Sequence, residues 1–418
     1  MKSLFLFGLM VPISFTLLSI EAKPVDVVPS DLLLLLLPIF LLHKGRVTLP
    51  ASVGRRLSML FFFVFFFLIW CISSMTFQVF ESGSLSAVAS AMKFLKPIVF
   101  FIILFTVLGR AGQTVFRLHH FHLACLLYSY TFFISSFQAP GFPSSKWGQF
   151  FLGQPAYGFP NSPMTFLACL LPFSLSSFYE ARSRLWRIGS LASILITCTT
   201  VTLSLSRSSF VVLGLSAILW FYISFGRLSL YRLIFRMVRF VVPVSLLVFL
   251  CVIFLSLFFD MTPQADRIGL MLESRVGRTF QSEDTFSGRQ VLWADTVSLI
   301  LERPIGGYGF KSFSSFAETF DTPHQQYLEI AYKVGIVGLL LFLTCFYQIF
   351  SFIRHFSGSG ENRKLLSCYF AGIAAVAVGN FTQPNYTYSV TGNFYAFLSV
   401  CVLGGCCLNV YQMRVGRR

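Results

Sequence analysis

One polar segment of this sequence contains Ser287-Gly288-Arg289, Pro304-Ile305-Gly306-Gly307-Tyr308-Gly309-Phe310 and Thr322-Pro323-His324-Gln325-Gln326-Tyr327-Leu328. The segment runs from Asp260 to Tyr332 and is the only long polar stretch in the chain. Long apolar runs precede and follow it, so the side chains that can carry chemistry are concentrated here. We therefore interpret the rest of the chain as a scaffold that holds this segment.

The composition is that of a membrane protein. Hydrophobic residues make up 56% of the 418 positions and charged residues only 11%, whereas soluble domains carry about 25% charged residues. The ten cysteines all fall within apolar runs, and no Cys-x-x-Cys pair has histidine partners. The sequence therefore predicts neither a disulfide framework nor a zinc site.

About twelve apolar runs are long enough to cross, or nearly cross, about 30 Å of hydrocarbon. They lie near residues 3–20, 28–43, 57–75, 86–108, 119–138, 163–179, 186–205, 208–225, 238–259, 334–353, 365–380 and 390–411. We interpret the first run as a helix, because no clear cleavage site of a signal peptide follows it. The sequence thus predicts an all-α polytopic membrane protein with about twelve transmembrane helices.

Basic residues are concentrated in alternate connections between these runs. If Met1 is cytoplasmic, most of the 32 basic residues face inward, and Glu180 and Glu361 are the only acids that accompany them. Both termini are then cytoplasmic. The predicted divisions are nine spans in 1–259 with a small outer loop at 139–162, a large helical outer loop at 260–332, and three spans with a basic tail in 333–418.

The net charge of +16 follows from this topology. A basic excess on the inner side predicts contact with anionic membrane lipids. Because the basic excess is explained by topology, nucleic-acid binding is not predicted.

Local signals predict three helices in the large loop. The first covers residues 263–279, and the second covers 288–302, with Ser287 as N-cap and Pro304 as its limit. The third begins at Thr322 as N-cap, with Pro323 in the first helical position and His324 in the first turn. Gly335 is expected to end this third helix.

Two arginines are candidates for binding an anionic substrate. Arg207 sits between two spans with almost no loop, and Arg289 lies in the first turn of its predicted helix, where an anion is favoured. Guanidinium groups bind phosphate in a bidentate manner and stay charged. The alternative for Arg207 is a structural arginine that snorkels to the membrane surface or forms an ion pair. The alternative for Arg289 is a solvated charge on the loop.

Among the six histidines, His324 alone is predicted on the outer side. Histidine is the usual side chain that takes a proton near neutral pH, so His324 is a candidate base. A hydrogen-bonded histidine without a catalytic role is the alternative. No Asp-x-Asp or His-x-x-x-His pattern accompanies it, and neither a metal nor a cofactor is predicted.

The motifs in this order resemble the O-antigen ligase and O-antigen polymerase superfamily of bacterial envelope glycosyltransferases. Ser206-Arg207-Ser208 resembles its arginine at the outer membrane boundary, and Ser287-Gly288-Arg289 with Trp293 resembles the opening of its large periplasmic loop. Pro304–Phe310 looks like its Pro-x-x-Gly-x-Gly turn. His324–Leu328 with Gly335–Gly338 is similar to its His-Asn-x-x-Leu…Gly-Ile-x-Gly element, with Gln325 where Asn is usual.

The resemblance implies an inverting, metal-independent reaction at the periplasmic face of the inner membrane. An acceptor hydroxyl attacks a glycan carried on undecaprenyl diphosphate, and the lipid diphosphate leaves. Arg207, Arg289 and Arg267 would bind the diphosphate, while His324 would remove or orient the acceptor proton. We also predict substrate binding by Arg278, Tyr327 and Lys93, the last as an attraction for the anionic carrier head group.

The acceptor distinguishes several functions that share these motifs. A ligase uses a lipid A–core sugar, and we place it slightly ahead of a polymerase, which uses the end of a second lipid-linked glycan. Transfer to protein or into exopolysaccharide is a further possibility within the enzyme class. The competing class is a non-enzymatic transporter of a lipid-linked sugar, although no internal repeat typical of transporters is visible.

Overall fold

The structure is a computed structural model. It describes residues 15–20, 23–27, 51–83, 85–111, 118–138, 161–181, 183–203, 206–225, 229–259, 289–316, 322–356 and 361–382, and seven positions between 394 and 403. The described elements are two strands, β1 (Phe15–Ile20) and β2 (Lys23–Val27), and the helices α1 (Ala51–Ser82), α2 (Ser86–Ala111), α3 (Leu118–Gln138), α4 (Asn161–Glu180), α5 (Arg184–Leu203), α6 (Arg207–Phe225), α7 (Leu230–Phe259), α8 (Arg289–Glu302), α9 (Gln326–Phe356) and α10 (Glu361–Gly379).

Six helices within the described residues are long and apolar enough to cross a membrane. These candidate spans are Gly54–Ser82, Ser86–Ile103, Arg184–Thr202, Ser208–Phe225, Tyr231–Cys251 and Gln326–Phe352. Each of them overlaps one of the predicted apolar runs. The predicted class, a helical multi-pass membrane protein, is confirmed in this form, whereas the number of twelve spans, the side of the termini and the periplasmic placement of the loop stay predictions.

The amino-terminal run departs from the prediction. Residues 15–20 of the run at 3–20 form β1, which pairs with β2 in an antiparallel hairpin whose register runs from Phe15↔Val27 to Ile20↔Lys23. The expectation of a first helix through residue 20 is therefore wrong. β-branched residues such as Thr16, Ile20 and Val25 favour strands over helices. The run at 28–43 lies outside the described residues.

The chain divides into two compact units. In the first unit, which contains α3 to α7 and the last part of α10, hydroxyl groups join the helices. Ser129 and Thr197 lie 2.9 Å apart, and the Ser174 and Ser193 hydroxyls lie 2.8 Å apart. Both bonds are buried and link α3 and α4 to α5. Hydrogen bonds between small polar side chains are a usual means of associating helices in lipid, where apolar packing gives little selectivity.

The second unit contains the hairpin, α1, α2, α8 and α9. Aromatic side chains form much of its interior. The ring of Phe67 on α1 lies 6.3 Å from Phe94 on α2 and 5.8 Å from Phe342 on α9, measured between centroids. Phe94 also meets Phe310 edge to face at 5.2 Å. Phe310 lies in the Gly-rich turn, so the transmembrane core of this unit continues directly into the polar segment.

Candidate functional site

Helix α9 is broken at Gly335, whose φ of 72° and ψ of 178° are not helical. The break frees backbone carbonyl groups that a continuous helix would use, and a buried carbonyl needs a partner. The Tyr332 carbonyl accepts the N–H of Tyr308 at 2.8 Å, and the Lys333 carbonyl accepts the N–H of Gly309 at 2.8 Å. The predicted turn at Pro304–Phe310 therefore docks on the break, and Gly335 ends the first helical part of α9 as expected.

Side chains of α1 complete this junction. Trp70 donates its indole N–H to the Val334 carbonyl at 2.8 Å. The Ser74 hydroxyl lies 2.8 Å from the Gly306 carbonyl and 3.1 Å from the Lys333 carbonyl, both within hydrogen-bonding distance. The Trp70 and Ser74 hydrogen bonds thus fix the kink of α9 against a spanning helix.

Helix α8 begins and ends close to its prediction, at Arg289 and Glu302, one residue after the predicted start. Its inner face packs on the first part of α9. The shared core consists of Leu292, Ile300, Tyr308, Phe313, Ala331 and Tyr332. The rings of Tyr308 and Tyr332 are stacked with centroids 5.4 Å apart. This packing holds α8 beside α9, as a site built on both helices requires.

Arg289 is the first residue of α8 and is half-buried. Its Nη1 donates to the Thr382 carbonyl at 3.3 Å. Burial lowers the pKa of the guanidinium, because the charged form has lost part of its hydration. A partly desolvated guanidinium with five donors is well suited to bind an anion.

His324 does not lie in a helix. Helix α9 begins at Gln326, and His324 has a φ of 51°, in the left-handed region. Its backbone N–H donates to the Thr322 hydroxyl at 3.3 Å, and the Gln325 side chain, rather than Thr322, accepts the N–H of Leu328 in the first turn. The predictions that Thr322 is the N-cap and that His324 lies in the first turn are therefore wrong.

Trp293 connects the two candidate residues. It lies one helical turn after Arg289 on α8, so the two side chains share a face. Its indole N–H donates to the carbonyl of Pro323 at 3.1 Å, and Pro323 is bonded to His324. The structure therefore brings the start of the Arg289 helix and the His324 loop together within the second unit.

A buried ion pair near this loop was missed by the sequence reasoning. Lys333 Nζ lies 2.7 Å from Glu329 Oε1, with side chains 9% and 1% exposed. The second carboxylate oxygen of Glu329 has no hydrogen-bond partner among the described residues. Glu329 is therefore not a solvated charge of the loop. Opposite charges four residues apart at the start of a spanning helix are the signal that predicts such a pair.

The region that contains these elements, residues 191–343, matches the family model described as O-antigen ligase. This part of the chain is similar to the O-antigen ligase family. This match confirms the resemblance to the ligase and polymerase superfamily and supports a function of that general type. A comparison with curated proteins finds no significant match.

The matched region starts within α5 and ends within α9, and it therefore includes Arg207, Arg289 and His324. Arg207 is the first residue of α6 in the first unit, as expected from its position between two runs. The Ser206 and Ser209 hydroxyls beside it are buried and lie 2.8 Å apart. The participation of Arg207 in one site with Arg289 stays a prediction.

Two of the other predicted site residues, Tyr327 and Lys93, lie within the described residues. Tyr327 lies in the first turn of α9, with its ring 4.9 Å from that of Phe381. Lys93 lies on α2 in the second unit and is half-buried. Arg267 and Arg278, with the predicted helix at 263–279, lie outside the described residues. Within the described residues, no three His, Cys, Asp or Glu side chains are grouped so that they could hold a metal ion.

Proposed function

We propose that this protein transfers a glycan from undecaprenyl diphosphate to the hydroxyl of a lipid A–core sugar, at the periplasmic face of the inner membrane. The O-antigen ligase family domain supports this proposal, as do the candidate membrane spans. The observation that carries it is the hydrogen bond between Trp293 and Pro323, which places the Arg289 helix beside the His324 loop.

The chemistry assigns one part of the reaction to each residue. The acceptor oxygen attacks the anomeric carbon of the glycan from the face opposite the diphosphate. The bond from that carbon to the diphosphate oxygen breaks, so the configuration inverts and undecaprenyl diphosphate leaves. The acceptor proton passes to the imidazole of His324, which acts as the general base.

Charge grows on the diphosphate oxygens as this bond breaks. Arg289, together with Arg207 and Arg267, stabilises that charge, which is the electrostatic part of the catalysis. Cations fixed in a site with little water act more strongly than the same groups in bulk water. Arg278, Tyr327 and Lys93 are proposed to contact the carrier or the glycan around this centre.

The second candidate function is that of an O-antigen polymerase, which catalyses the same reaction with a second lipid-linked glycan as acceptor. The family domain favours both functions equally. A deletion strain distinguishes them, because loss of a ligase leaves polymer on the carrier and bare core, whereas loss of a polymerase leaves single repeats attached to core.

Reconstitution of the purified protein tests the proposal directly. One sample contains the carrier-linked donor with lipid A–core, and the other contains the donor alone. A ligase forms product only in the first sample, and a polymerase extends the donor in both. A protein that forms no product in either sample, but moves the donor across a vesicle membrane, is a transporter and overturns the enzymatic proposal.

A further inference from the structure

The three residues that follow α10 are Asn380, Phe381 and Thr382. Together they contact both helices of the candidate site, α8 and α9. The Asn380 carbonyl accepts the backbone N–H of Gln326 at 2.8 Å, and the Thr382 carbonyl accepts a guanidinium N–H of Arg289 at 3.3 Å. Between them, Phe381 places its ring 4.9 Å from that of Tyr327. These residues lie outside the region 191–343 that matches the family model.

Asn380 makes two contacts with the start of α9. The backbone N–H groups in the first turn of a helix have no partner within the helix. The Asn380 carbonyl satisfies the N–H of Gln326, and the Asn380 side chain hydrogen-bonds to the phenol of Tyr327. Asn380 is only 4% exposed, so water does not compete well for either bond.

The position of His324 depends on this start. His324 is two residues before Gln326 and adopts a left-handed backbone, which is unfavourable for a residue other than Gly and must be fixed by its surroundings. Two contacts fix the loop from either side. Trp293 holds the Pro323 carbonyl before His324, and Asn380 holds Gln326 after it.

We propose that Asn380 is a positioning residue for the transfer reaction, which fixes the start of α9 and so the place of His324 beside the Arg289 helix. The inference rests on the proposed function. Asn380 does not contact the substrate itself. Its side chain acts through Tyr327, and its backbone acts through Gln326.

The test replaces Asn380 with leucine, which has a similar size and cannot make the hydrogen bond to Tyr327. We expect kcat to fall about tenfold, a free-energy change of about 1.4 kcal/mol, while KM for the donor changes less than about twofold. Tyr327→Phe and the double variant complete a double-mutant cycle. If Asn380 and Tyr327 act through one bond, the two single losses of activity should not add. The double variant should then lose less activity than the sum of the two single losses.

Hydrogen exchange gives a readout that does not depend on activity. In the Asn380→Leu protein, backbone amides of peptides that contain Gln326–Leu328 should exchange faster than in the wild type. Ser367→Ala, which removes a buried hydroxyl earlier in α10, is the matched control and should change neither exchange at 326–328 nor kcat.

The outcomes separate this inference from the proposed function. If wild-type protein transfers no glycan, the proposed function fails, whereas faster exchange at 326–328 in Asn380→Leu still supports the structural role. If Asn380→Leu keeps the wild-type kcat and exchange, or if its effect is additive with that of Tyr327→Phe, Asn380 does not position this site. If Ser367→Ala lowers kcat as much as Asn380→Leu does, the inference is also overturned, because equal losses indicate a general weakening of α10.

Discussion

Gly307 and Gly335 meet backbone to backbone, and a Cβ atom on Gly307 would come within 2.6 Å of the Gly335 nitrogen. Both residues have a φ in the left-handed region, 65° and 72°. The contact brings the turn at Pro304–Phe310 into the break of α9, where Tyr308 and Gly309 satisfy the carbonyl groups that the break exposes. Gly307 and Gly335 therefore form one close backbone contact between the turn and α9.

Replacement of Gly307 by alanine should unfold or strongly destabilise this joint. The left-handed backbone alone costs about 1–2 kcal/mol for an alanine, and the clash with backbone atoms of Lys333 and Gly335 adds to it. Gly306→Ala is the matched control, since a Cβ there meets nothing within 4 Å. Thermal unfolding in detergent measures both, and equal melting temperatures for the two variants would show that the close approach does not exist.

Removal of one member of the Glu329–Lys333 pair should be costly. Glu329→Gln leaves the ammonium of Lys333 buried without its counter-charge, and breaking a buried pair typically costs about 3–5 kcal/mol. The double variant Glu329→Met with Lys333→Met should recover much of the loss. The control is Glu81→Gln, which breaks the half-exposed pair of Glu81 with Arg303 and should cost less than about 1 kcal/mol. A melting temperature that falls equally in both single variants contradicts this prediction.

Arg289→Lys keeps the positive charge but loses the planar fork that binds a diphosphate in a bidentate manner. We expect a loss in kcat of roughly 100-fold, as for the removal of a transition-state donor elsewhere, with normal expression and melting temperature. Arg303→Lys is the control, because Arg303 also presents a fork but to Glu81. Transfer assays with purified protein measure both variants. Normal turnover by Arg289→Lys would remove the assignment of diphosphate binding.

His324→Asn separates a base from an orienting group. Asparagine tolerates the left-handed backbone that His324 adopts and can hydrogen-bond to a hydroxyl, but it cannot take up a proton. If His324 is the base, His324→Asn and His324→Ala should both lose about 100-fold or more in kcat. Retention of most activity by His324→Asn, with loss in His324→Ala, would indicate an orienting role. Circular dichroism and melting temperature check that both variants are folded.

Local signals predicted some boundaries well and others badly. Pro304 cannot continue a helix, so the end of α8 at Glu302 followed from the sequence. The start of α9 did not. Thr322 and Pro323 look like a helix start in sequence, but the Pro323 carbonyl is taken by Trp293, and the chain enters the helix only where Asn380 and Gln325 satisfy the first N–H groups. The tertiary partners overrode the local preference.

The site residues also divide into those that the sequence predicts and those that only the structure reveals. Arg289 and His324 could be named from the sequence, because few charged or titratable groups occur in so apolar a chain. Trp293 was visible as part of a motif, but its bond to Pro323 was not. Asn380 had no signal at all, since a single asparagine after an apolar run is an ordinary way for a span to end.

The sequence by itself determined that the chain is a helical membrane protein, because the lengths of apolar runs are set by the thickness of a bilayer and are read without any knowledge of packing. It also determined which side chains are able to bind an anion or accept a proton. Only the tertiary structure decided which of these groups are neighbours. The Trp70 indole and the Val334 carbonyl are 264 residues apart in the chain, and no local property of either residue specifies the other. Their pairing arises because a broken helix leaves buried carbonyl groups, and whichever donors the fold brings there must satisfy them.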